Sequence, residues 1–275
     1  MEKSKYRELF NLRDKNAIIT GGCGILGKHF CKALSEFGAN VAVVDIDEVK
    51  AKELAATIKK EYGTEAIGIY CDVSQSKSVK DMVNKVVREF GKIHILHNNA
   101  ASKSDDLDAF FAPFEEYSLD EWRKIMSVNI DGMFLVAQTV GKHMVEKEIK
   151  GSIIQTSSIY GLVASDKRIY EGSFYLNKQI SNPAVYSASK ASVVGLTRYL
   201  ASYWGDKGIR VNALVPGGVE SGQNETFKEK YSARVPLGRM AQGSEMTGAL
   251  VYLASDASSY VTGQCLVIDG GLTVW

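Results

Sequence analysis

Short apolar runs and amphipathic stretches alternate along almost the whole chain. The apolar runs are continuous, as is typical of strands that are buried on both faces of a sheet. Between them, apolar residues recur three or four positions apart, which indicates helices. The predicted strands are residues 16–20, 40–46, 66–73, 92–100, 152–158, 209–218 and 264–271. The predicted helices follow the first strand directly and then cover residues 47–63, 78–91, 119–148, 184–205 and 244–255.

Alternating strands and helices predict a doubly wound α/β fold, in which a parallel sheet lies between two layers of helices. Right-handed crossovers bring the carboxyl ends of the strands to one edge, where ligands bind in such folds. No composition shift or linker divides the chain. We therefore expect one domain over residues 15–275, preceded by an extension of residues 1–14.

Composition narrows the classes of function. The chain has 275 residues, of which 45% are hydrophobic and 24% charged, with a formal net charge of +1. This balance gives no reason to expect nucleic acid or an anionic membrane as a partner. No apolar run approaches the roughly 20 residues that a membrane span needs, and the charged N-terminus lacks a signal-peptide core. The cysteines and histidines lack metal-ligand spacing. We expect a cytoplasmic protein without a metal.

A glycine-rich turn, TGGCGILG (residues 20–27), follows the first strand and opens a helix. Glycines let the backbone approach a ligand closely, and a helix N-terminus attracts a pyrophosphate. Asp45 stands at the end of the second strand, 18 residues beyond the turn. A carboxylate there accepts the ribose hydroxyls and repels a 2′-phosphate, so NAD is preferred over NADP. The alternative is a tight turn with an aspartate helix cap, for which Asp47 is also a candidate.

The stretch YSASK places Tyr186 and Lys190 four residues apart, on one face of the predicted helix. A free tyrosine has a pKa near 10, too high for a base at neutral pH. A neighbouring ammonium group stabilises the phenolate and lowers that pKa. The alternative interpretation of the pair is a solvated helix face.

Six motifs occur in the order seen in short-chain dehydrogenases/reductases, and residues 14–271 of the chain resemble this family. The resemblance implies a single Rossmann-type domain that uses NAD(P) to oxidise alcohols or reduce carbonyl groups. The motifs are TGGCGILG, HNNAA (97–101), VNIDG (128–132), SIIQTSS (152–158), YSASK (186–190) and VNALVPGG (211–218).

The resemblance also implies a catalytic set: Asn129, Ser158, Tyr186 and Lys190. In it, Tyr186 is the general acid/base and Ser158 donates to the substrate oxygen. Lys190 lowers the tyrosine pKa and holds the nicotinamide ribose, and Asn129 anchors a water in a proton relay. The implied cofactor contacts are Gly21, Cys23, Gly24, Ile25, Leu26, Asp45, Ile46, Asp72, Val73, Asn99, Ala100, Ala101, Tyr186, Lys190, Pro216, Gly217, Val219 and Ser221.

Three features depart from the family pattern. Ile25 and Ala101 each stand where glycine is usual. Ser158 and Tyr186 are 28 residues apart, about twice the spacing usual in the family. The additional residues form an insertion segment (about residues 165–183) next to the substrate.

The insertion segment is rich in cations, and a second segment of about residues 219–242 is expected to be a mobile substrate lid. Lys167, Arg168 and Lys178 suggest a pocket for a polar or anionic sugar derivative. The alternative is a solvated surface loop.

The sequence as a whole favours an NAD-dependent oxidoreductase that interconverts a secondary alcohol and a ketone on a sugar, sugar acid or polyol. A narrower resemblance is to bacterial dehydrogenases of surface-polysaccharide and nonulosonic acid pathways. The alternatives are a nucleotide-sugar epimerase or dehydratase that retains NAD, and a cofactor-sensing protein without catalysis. The resemblance also implies dimers or tetramers formed through helices 119–148 and 184–205.

Overall fold

The computed structural model describes residues 5–104 and 106–275. Its strands are β1 (Asn16–Thr20), β2 (Asn40–Asp45), β3 (Ala66–Tyr70), β4 (Ile95–Asn98), β5 (Ser152–Thr156), β6 (Phe174–Tyr175), β7 (Lys178–Gln179), β8 (Arg210–Pro216) and β9 (Cys265–Ile268). Seven of these form one parallel sheet in the order β3-β2-β1-β4-β5-β8-β9. The predicted doubly wound fold is confirmed.

Helices connect the successive strands of the sheet, apart from a short one that precedes β1. They are α1 (Lys5–Glu8), α2 (Ile25–Glu36), α3 (Glu48–Tyr62), α4 (Ser76–Phe90), α5 (Leu107–Phe110), α6 (Leu119–Met126), α7 (Met133–Glu146), α8 (Ala184–Trp204), α9 (Glu225–Ser232) and α10 (Thr247–Ala254). Asp47 caps α3 by accepting a hydrogen bond from the Lys50 N–H. None of these helices is long and apolar enough to span a bilayer.

Neighbouring residues of a strand point to opposite faces of the sheet, which gives two buried layers. Ile18 and Leu96 pack on one side with residues of α4, α7 and α8. Ile19 and Ile95 pack on the other with residues of α2, α3 and α10. Because both faces are covered, the strands contain few polar residues, and the polar positions at their carboxyl ends stand out.

The predicted helix 119–148 is interrupted in the structure. Between α6 and α7, residues Ser127–Gly132 form a π-helical turn, and this turn contains Asn129. Such turns are frequent at functional sites. An amphipathic pattern does not reveal one extra residue in a turn, so the sequence predicted a single helix.

The insertion segment has a secondary structure of its own. Strands β6 and β7 form an antiparallel hairpin whose two connecting residues, Leu176 and Asn177, have φ of 48° and 62°. Two consecutive residues with positive φ are typical of a tight hairpin turn. The predicted lid segment likewise contains a helix, α9.

Packing of the domain begins within the predicted extension. Leu12 is completely buried in the core, and its N–H donates to the carbonyl of Phe37. The first four residues of the extension lie outside the described part of the chain.

The contact between α7 and α8 leads to a stability prediction. A Cβ added at Gly141 would lie 2.1 Å from the ring of Trp204, whereas one added at Gly195, also within a helix, would meet nothing within 4 Å. We expect Gly141→Ala to lower the free energy of unfolding by about 1–3 kcal/mol through overpacking. Gly195→Ala should raise it by roughly 0.5–1 kcal/mol, since alanine favours a helix. Urea unfolding measures both, and an unchanged or higher stability for Gly141→Ala would contradict the packing.

Candidate active site

The residues of the predicted catalytic set come from three neighbouring elements. Ser158 follows β5, Tyr186 and Lys190 lie in the first turns of α8, and Asn129 lies in the π-helical turn. The Lys190 Nζ lies 5.8 Å from the centre of the Tyr186 ring. Ser158, Asn129 and Lys190 are buried, and Tyr186 is half-buried.

Lys190 is a buried cation held by a main-chain oxygen. Its Nζ donates to the carbonyl of Thr156 at 3.0 Å. In return, the hydroxyl of Ser157 donates to the carbonyl of Lys190 at 2.7 Å, so β5 and α8 are joined twice. Burial lowers the pKa of Lys190 to about 8. The ammonium form is therefore still the main one at neutral pH.

Two opposing effects act on Tyr186. Burial raises the pKa of its hydroxyl, and a hydrogen bond with Ser158 lowers it. In the chain alone burial is the larger effect, so the pKa lies above its usual value. The expected lowering by Lys190 stays a prediction.

Asn129 connects the π-helical turn to its surroundings. Its Oδ1 accepts from the N–H of Ser102 at 2.8 Å, and its Nδ2 donates to the hydroxyl of Ser189 at 3.3 Å. Ser189 in turn donates to the carbonyl of Tyr186 at 2.9 Å. Both ends of the amide are thus engaged by protein, and the water relay expected at Asn129 stays a prediction.

A second group of predicted residues lines one cleft at the carboxyl edge of the sheet, with a volume of about 630 Å³. The cleft extends from the glycine turn past the ends of β2, β3 and β4. The predicted residues that line it are Gly21, Cys23, Gly24, Ile25, Leu26, Asp45, Ile46, Asp72, Val73, Asn99, Ala100 and Ala101. Gly27 of the predicted glycine turn also lines the cleft. Lining residues that the sequence reasoning missed are Asp47, Lys50, Cys71, Ser102 and Val128.

The glycine turn has the features of a dinucleotide cradle. Helix α2 begins at Ile25 and has no side-chain cap. Its first N–H groups therefore have no side-chain acceptor and can donate to an anion. At Gly21, φ is 63° and a Cβ would lie 2.9 Å from the Cα of Ala100, so only glycine fits there. Ile25 is exposed, so the residue that departs from the family pattern does not fill the core.

Asp45 lies where a ribose-binding carboxylate is expected. One oxygen accepts from the N–H of Cys23 at 2.9 Å, and the other accepts from the N–H of Asp47 at 3.1 Å. These bonds fix the carboxylate between the glycine turn and the start of α3. Lys50 also lines the cleft, and its Nζ forms an ion pair with Asp47 at 2.7 Å. In the sequence, Lys50 could have been recognised from its position three residues after Asp47, which allows the two side chains to pair.

The remaining predicted cofactor residues follow β8. The Gly217 N–H donates to Ile268, and Val219 pairs with Ala241 in an isolated bridge. Val219 packs in the same cluster as Cys23 and Leu26 of the glycine turn. Pro216 ends β8, and the N–H of Ser221 donates to Gln223 at 2.8 Å.

The insertion segment is bound to the lid segment. Asn224 donates to the carbonyl of Gly172 and accepts from the N–H of Phe174. Lys230 donates to the carbonyl of Glu171 at 2.6 Å. Helix α9 is therefore held against the insertion in this conformation, and the mobility of the lid segment stays a prediction.

Aromatic side chains fill the contact between these segments. Tyr170 of the insertion lies 5.7 Å from the ring of Phe227 in α9, and its hydroxyl donates to that of Tyr160 at 3.3 Å. Tyr160 follows Ser158 by two residues, and its N–H donates to the Ser158 hydroxyl. The insertion thus reaches the immediate surroundings of Ser158.

The cations of the insertion are mostly paired with carboxylates. The guanidinium of Arg168 donates three hydrogen bonds to Asp166, and Lys178 pairs with Asp108. Lys167 lines a cavity of about 900 Å³ between the insertion, residues 112–117 and the start of α8. No residue of the predicted catalytic set lines that cavity. Arg168 and Lys178 are thus paired cations at the surface, and the pocket for a polar or anionic sugar derivative stays a prediction.

Known proteins resemble the chain over nearly its whole length. A sequence model of the family described as Enoyl-(Acyl carrier protein) reductase matches residues 24–273. D-threitol dehydrogenase of Mycolicibacterium smegmatis is 36% identical over 270 residues, covering 96% of this chain and 95% of that protein. 2,5-dichloro-2,5-cyclohexadiene-1,4-diol dehydrogenase of Sphingobium indicum is also 36% identical over 270 residues, covering 96% and 98%.

Solved structures agree with this assignment. A gluconate 5-dehydrogenase from Burkholderia cenocepacia, in complex with NADP and tartrate, has a TM-score of 0.85 at 33% identity and covers 98% of each chain. A short-chain dehydrogenase from Leptospira borgpetersenii with bound NAD+ has a TM-score of 0.83 at 32% identity, covering 99% of this chain and 97% of that one. The chain belongs to the short-chain dehydrogenase/reductase family. It is an oxidoreductase.

The buried ammonium group gives a pH-dependent prediction. Because burial lowers the pKa of Lys190 from 10.5 to about 8, the folded chain loses this proton at a lower pH than the unfolded chain. Between these values the unfolded state binds more protons, so the free energy of unfolding rises with pH. Lys190→Met removes this contribution. We expect the stability of the wild type relative to Lys190→Met to increase from about pH 7 to about pH 10 in urea unfolding. Parallel pH profiles would contradict a buried, pKa-shifted lysine.

Proposed function

We propose that the chain is an NAD-dependent dehydrogenase that interconverts a secondary alcohol and a ketone on a polyol, sugar acid or related sugar derivative. The observation that carries the proposal is the grouping of Lys190, Tyr186 and Ser158, which Thr156 connects to Asn99 in the cleft of the glycine turn. The similarity to D-threitol dehydrogenase and to a gluconate 5-dehydrogenase supports the substrate class. The narrower link to surface-polysaccharide pathways stays a prediction.

Each side chain of the predicted catalytic set has its own role in alcohol oxidation. The Tyr186 oxygen takes the proton of the substrate hydroxyl, and Ser158 donates a hydrogen bond to the substrate oxygen. Lys190 stabilises the tyrosinate by its charge and holds the nicotinamide ribose, and Asn129 anchors the proton relay. When bound, the nicotinamide accepts the hydride in oxidation and supplies it in reduction.

A preference for NAD rests on Asp45. The carboxylate lies in the cleft and is fixed there by two main-chain N–H groups. A negative charge beside the adenosine ribose accepts its hydroxyls and repels a 2′-phosphate. Lys50, the cation that lines the cleft near Asp45, is paired with Asp47. Similar structures hold either NADP or NAD+, so the choice depends on local residues of this kind.

The substrate pocket lies between Ser158, the insertion segment and the lid segment. The hydroxyl-bearing rings of Tyr160 and Tyr170 are partly exposed there, and the Tyr170 hydroxyl donates to that of Tyr160. Such a surface suits a substrate with several hydroxyl groups. The two dehydrogenases with 36% identity are named after a tetritol and a cyclic diol, which fits this class.

Self-association as a dimer or tetramer is part of the proposal, as is a cytoplasmic location. Phe134, Tyr199 and Tyr203 are exposed on α7 and α8, and the two tyrosine rings stack at 5.7 Å. Exposed aromatic patches of this kind are typical of interfaces between proteins.

The role of Tyr186 is tested by Tyr186→Phe, which keeps the ring and removes the hydroxyl. We expect kcat/KM for NAD-linked oxidation of polyols and sugar acids to fall about 100-fold or more. The Kd for NAD should change by less than about threefold, or about 0.7 kcal/mol. Initial rates of NADH formation and a fluorescence titration measure the two quantities. Tyr260→Phe, at a fully exposed tyrosine, should behave like the wild type. Full activity in Tyr186→Phe would refute the mechanism.

The role of Asp45 is tested by Asp45→Asn, which removes the charge and keeps the size. We expect the ratio of kcat/KM for NAD to kcat/KM for NADP to fall about tenfold or more, or about 1.4 kcal/mol. Asp72→Asn is a matched control, because Asp72 lines the same cleft and is bonded to Ser74. An unchanged ratio in Asp45→Asn, or an equal fall in Asp72→Asn, would show that Asp45 does not select the cofactor.

A further inference from the structure

A histidine lies in the middle of the sheet, where the neighbouring strands are apolar. His97 is in β4, fully buried, and its partners in the adjacent strands are Ile19 and Ile154. Its ring packs edge-on against Phe30 at 4.4 Å. An aliphatic residue would fill this position without burying polar atoms, so the imidazole requires an explanation in terms of its hydrogen bonds.

The hydrogen-bond partners of His97 determine which of its nitrogen atoms carries the proton. Burial lowers the pKa of His97 to about 3, so the ring is neutral at physiological pH. Its Nε2 lies 2.9 Å from the hydroxyl oxygen of Thr156. The Thr156 hydroxyl uses its single hydrogen to donate to the Oδ1 of Asn99 at 3.2 Å. The Thr156 oxygen must therefore accept from His97, whose Nε2 carries the proton. Among the described residues, His97 Nδ1 has no partner.

This chain of bonds ends at the glycine turn. With its Oδ1 held by Thr156, the Asn99 amide is oriented so that its Nδ2 donates to the carbonyls of Thr20 at 3.1 Å and Gly21 at 3.4 Å. Both Asn99 and Gly21 line the cofactor cleft. A reversed Asn99 amide would place an oxygen against these two carbonyl oxygens, which is repulsive.

Thr156 also connects the glycine turn to the catalytic set. Its side chain lies in the bonds just described, and its carbonyl accepts from the Nζ of Lys190 at 3.0 Å. Thr156 thus contacts the cofactor cleft through its hydroxyl and Lys190 through its main-chain carbonyl. The hydroxyl orientation depends on the donor at His97.

We propose that His97 is a positioning residue, which sets the Thr156 hydroxyl and thereby orients the Asn99 amide against the glycine turn. It touches neither substrate nor cofactor and acts through Thr156. The inference rests on the proposed function in one respect, namely that the cleft binds a dinucleotide.

The test compares NAD binding with stability in variants of His97. His97→Leu keeps an apolar side chain of similar size and removes the donor, and we expect the Kd for NAD to rise about fivefold, as loss of one hydrogen bond predicts. His97→Gln retains an N–H donor and should restore the Kd to within about twofold of the wild type. The thermal unfolding temperature of His97→Leu should fall less than the loss of NAD binding would suggest, because this variant also loses the unpartnered Nδ1. Phe30→Leu is the control for packing and should leave the Kd unchanged.

A double-variant comparison shows whether His97 acts through Thr156. Thr156→Val should also weaken NAD binding. The double variant His97→Leu/Thr156→Val should have a Kd no higher than that of the single variant that binds NAD more weakly. Additive losses, or a wild-type Kd in His97→Leu, would overturn the proposal.

Two further outcomes are decided by the same experiment. If His97→Leu does not fold, Thr156→Val and Thr156→Ser decide, since only the serine keeps the hydroxyl; equal Kd values in these two variants would overturn the proposal. If the wild type bound neither NAD nor NADP, the proposed function would fail first, and this inference with it. Binding in the wild type with no effect of any variant would refute the inference alone.

Discussion

All seven strands of the main sheet run in one direction, and the site depends on this constraint. Parallel strands place their carboxyl ends along one edge, where the chain leaves the apolar layers and polar side chains become possible. Asp45 ends β2, Asn99 follows β4 and Ser158 follows β5. Residues far apart in the sequence therefore lie close together at one edge of the sheet, and no further element is needed to bring them there. Helices then supply free N–H groups at the start of α2 and a cation from α8.

The charge that is buried at the predicted catalytic set is a cation. Lys190 is buried with a main-chain carbonyl as its partner, and its pKa is lowered to about 8. Such a charge is costly to bury without a carboxylate, and it gains a partner when a phenolate forms at Tyr186. The chain alone raises the pKa of Tyr186 through burial. In the proposed mechanism, proton transfer to Tyr186 therefore depends on the charge of Lys190.

Much of the architecture was predictable, because strand burial and helical spacing leave periodic patterns. The glycine turn, Asp45 and YSASK were predictable for a related reason, since each pairs an unusual residue with a position at a strand or helix end. The π-helical turn, the hairpin of the insertion segment and its bonds to α9 were not. They depend on one extra residue in a turn, on two positive φ angles and on contacts across some 50 residues of sequence. In the sequence His97 is only one position of a motif, because its bond to Thr156 exists only once β4 and β5 are adjacent.

In the proposed function, a hydride passes between a secondary alcohol carbon and NAD with Tyr186 as the base. The most direct measurement uses a polyol deuterated at its secondary alcohol carbons and follows deuterium by mass spectrometry. Deuterium in the released reduced cofactor, together with a ketone product, is the expected result. Deuterium that returns to carbon in the product, with the cofactor still bound and unchanged in redox state, would contradict the account and indicate an epimerase or dehydratase.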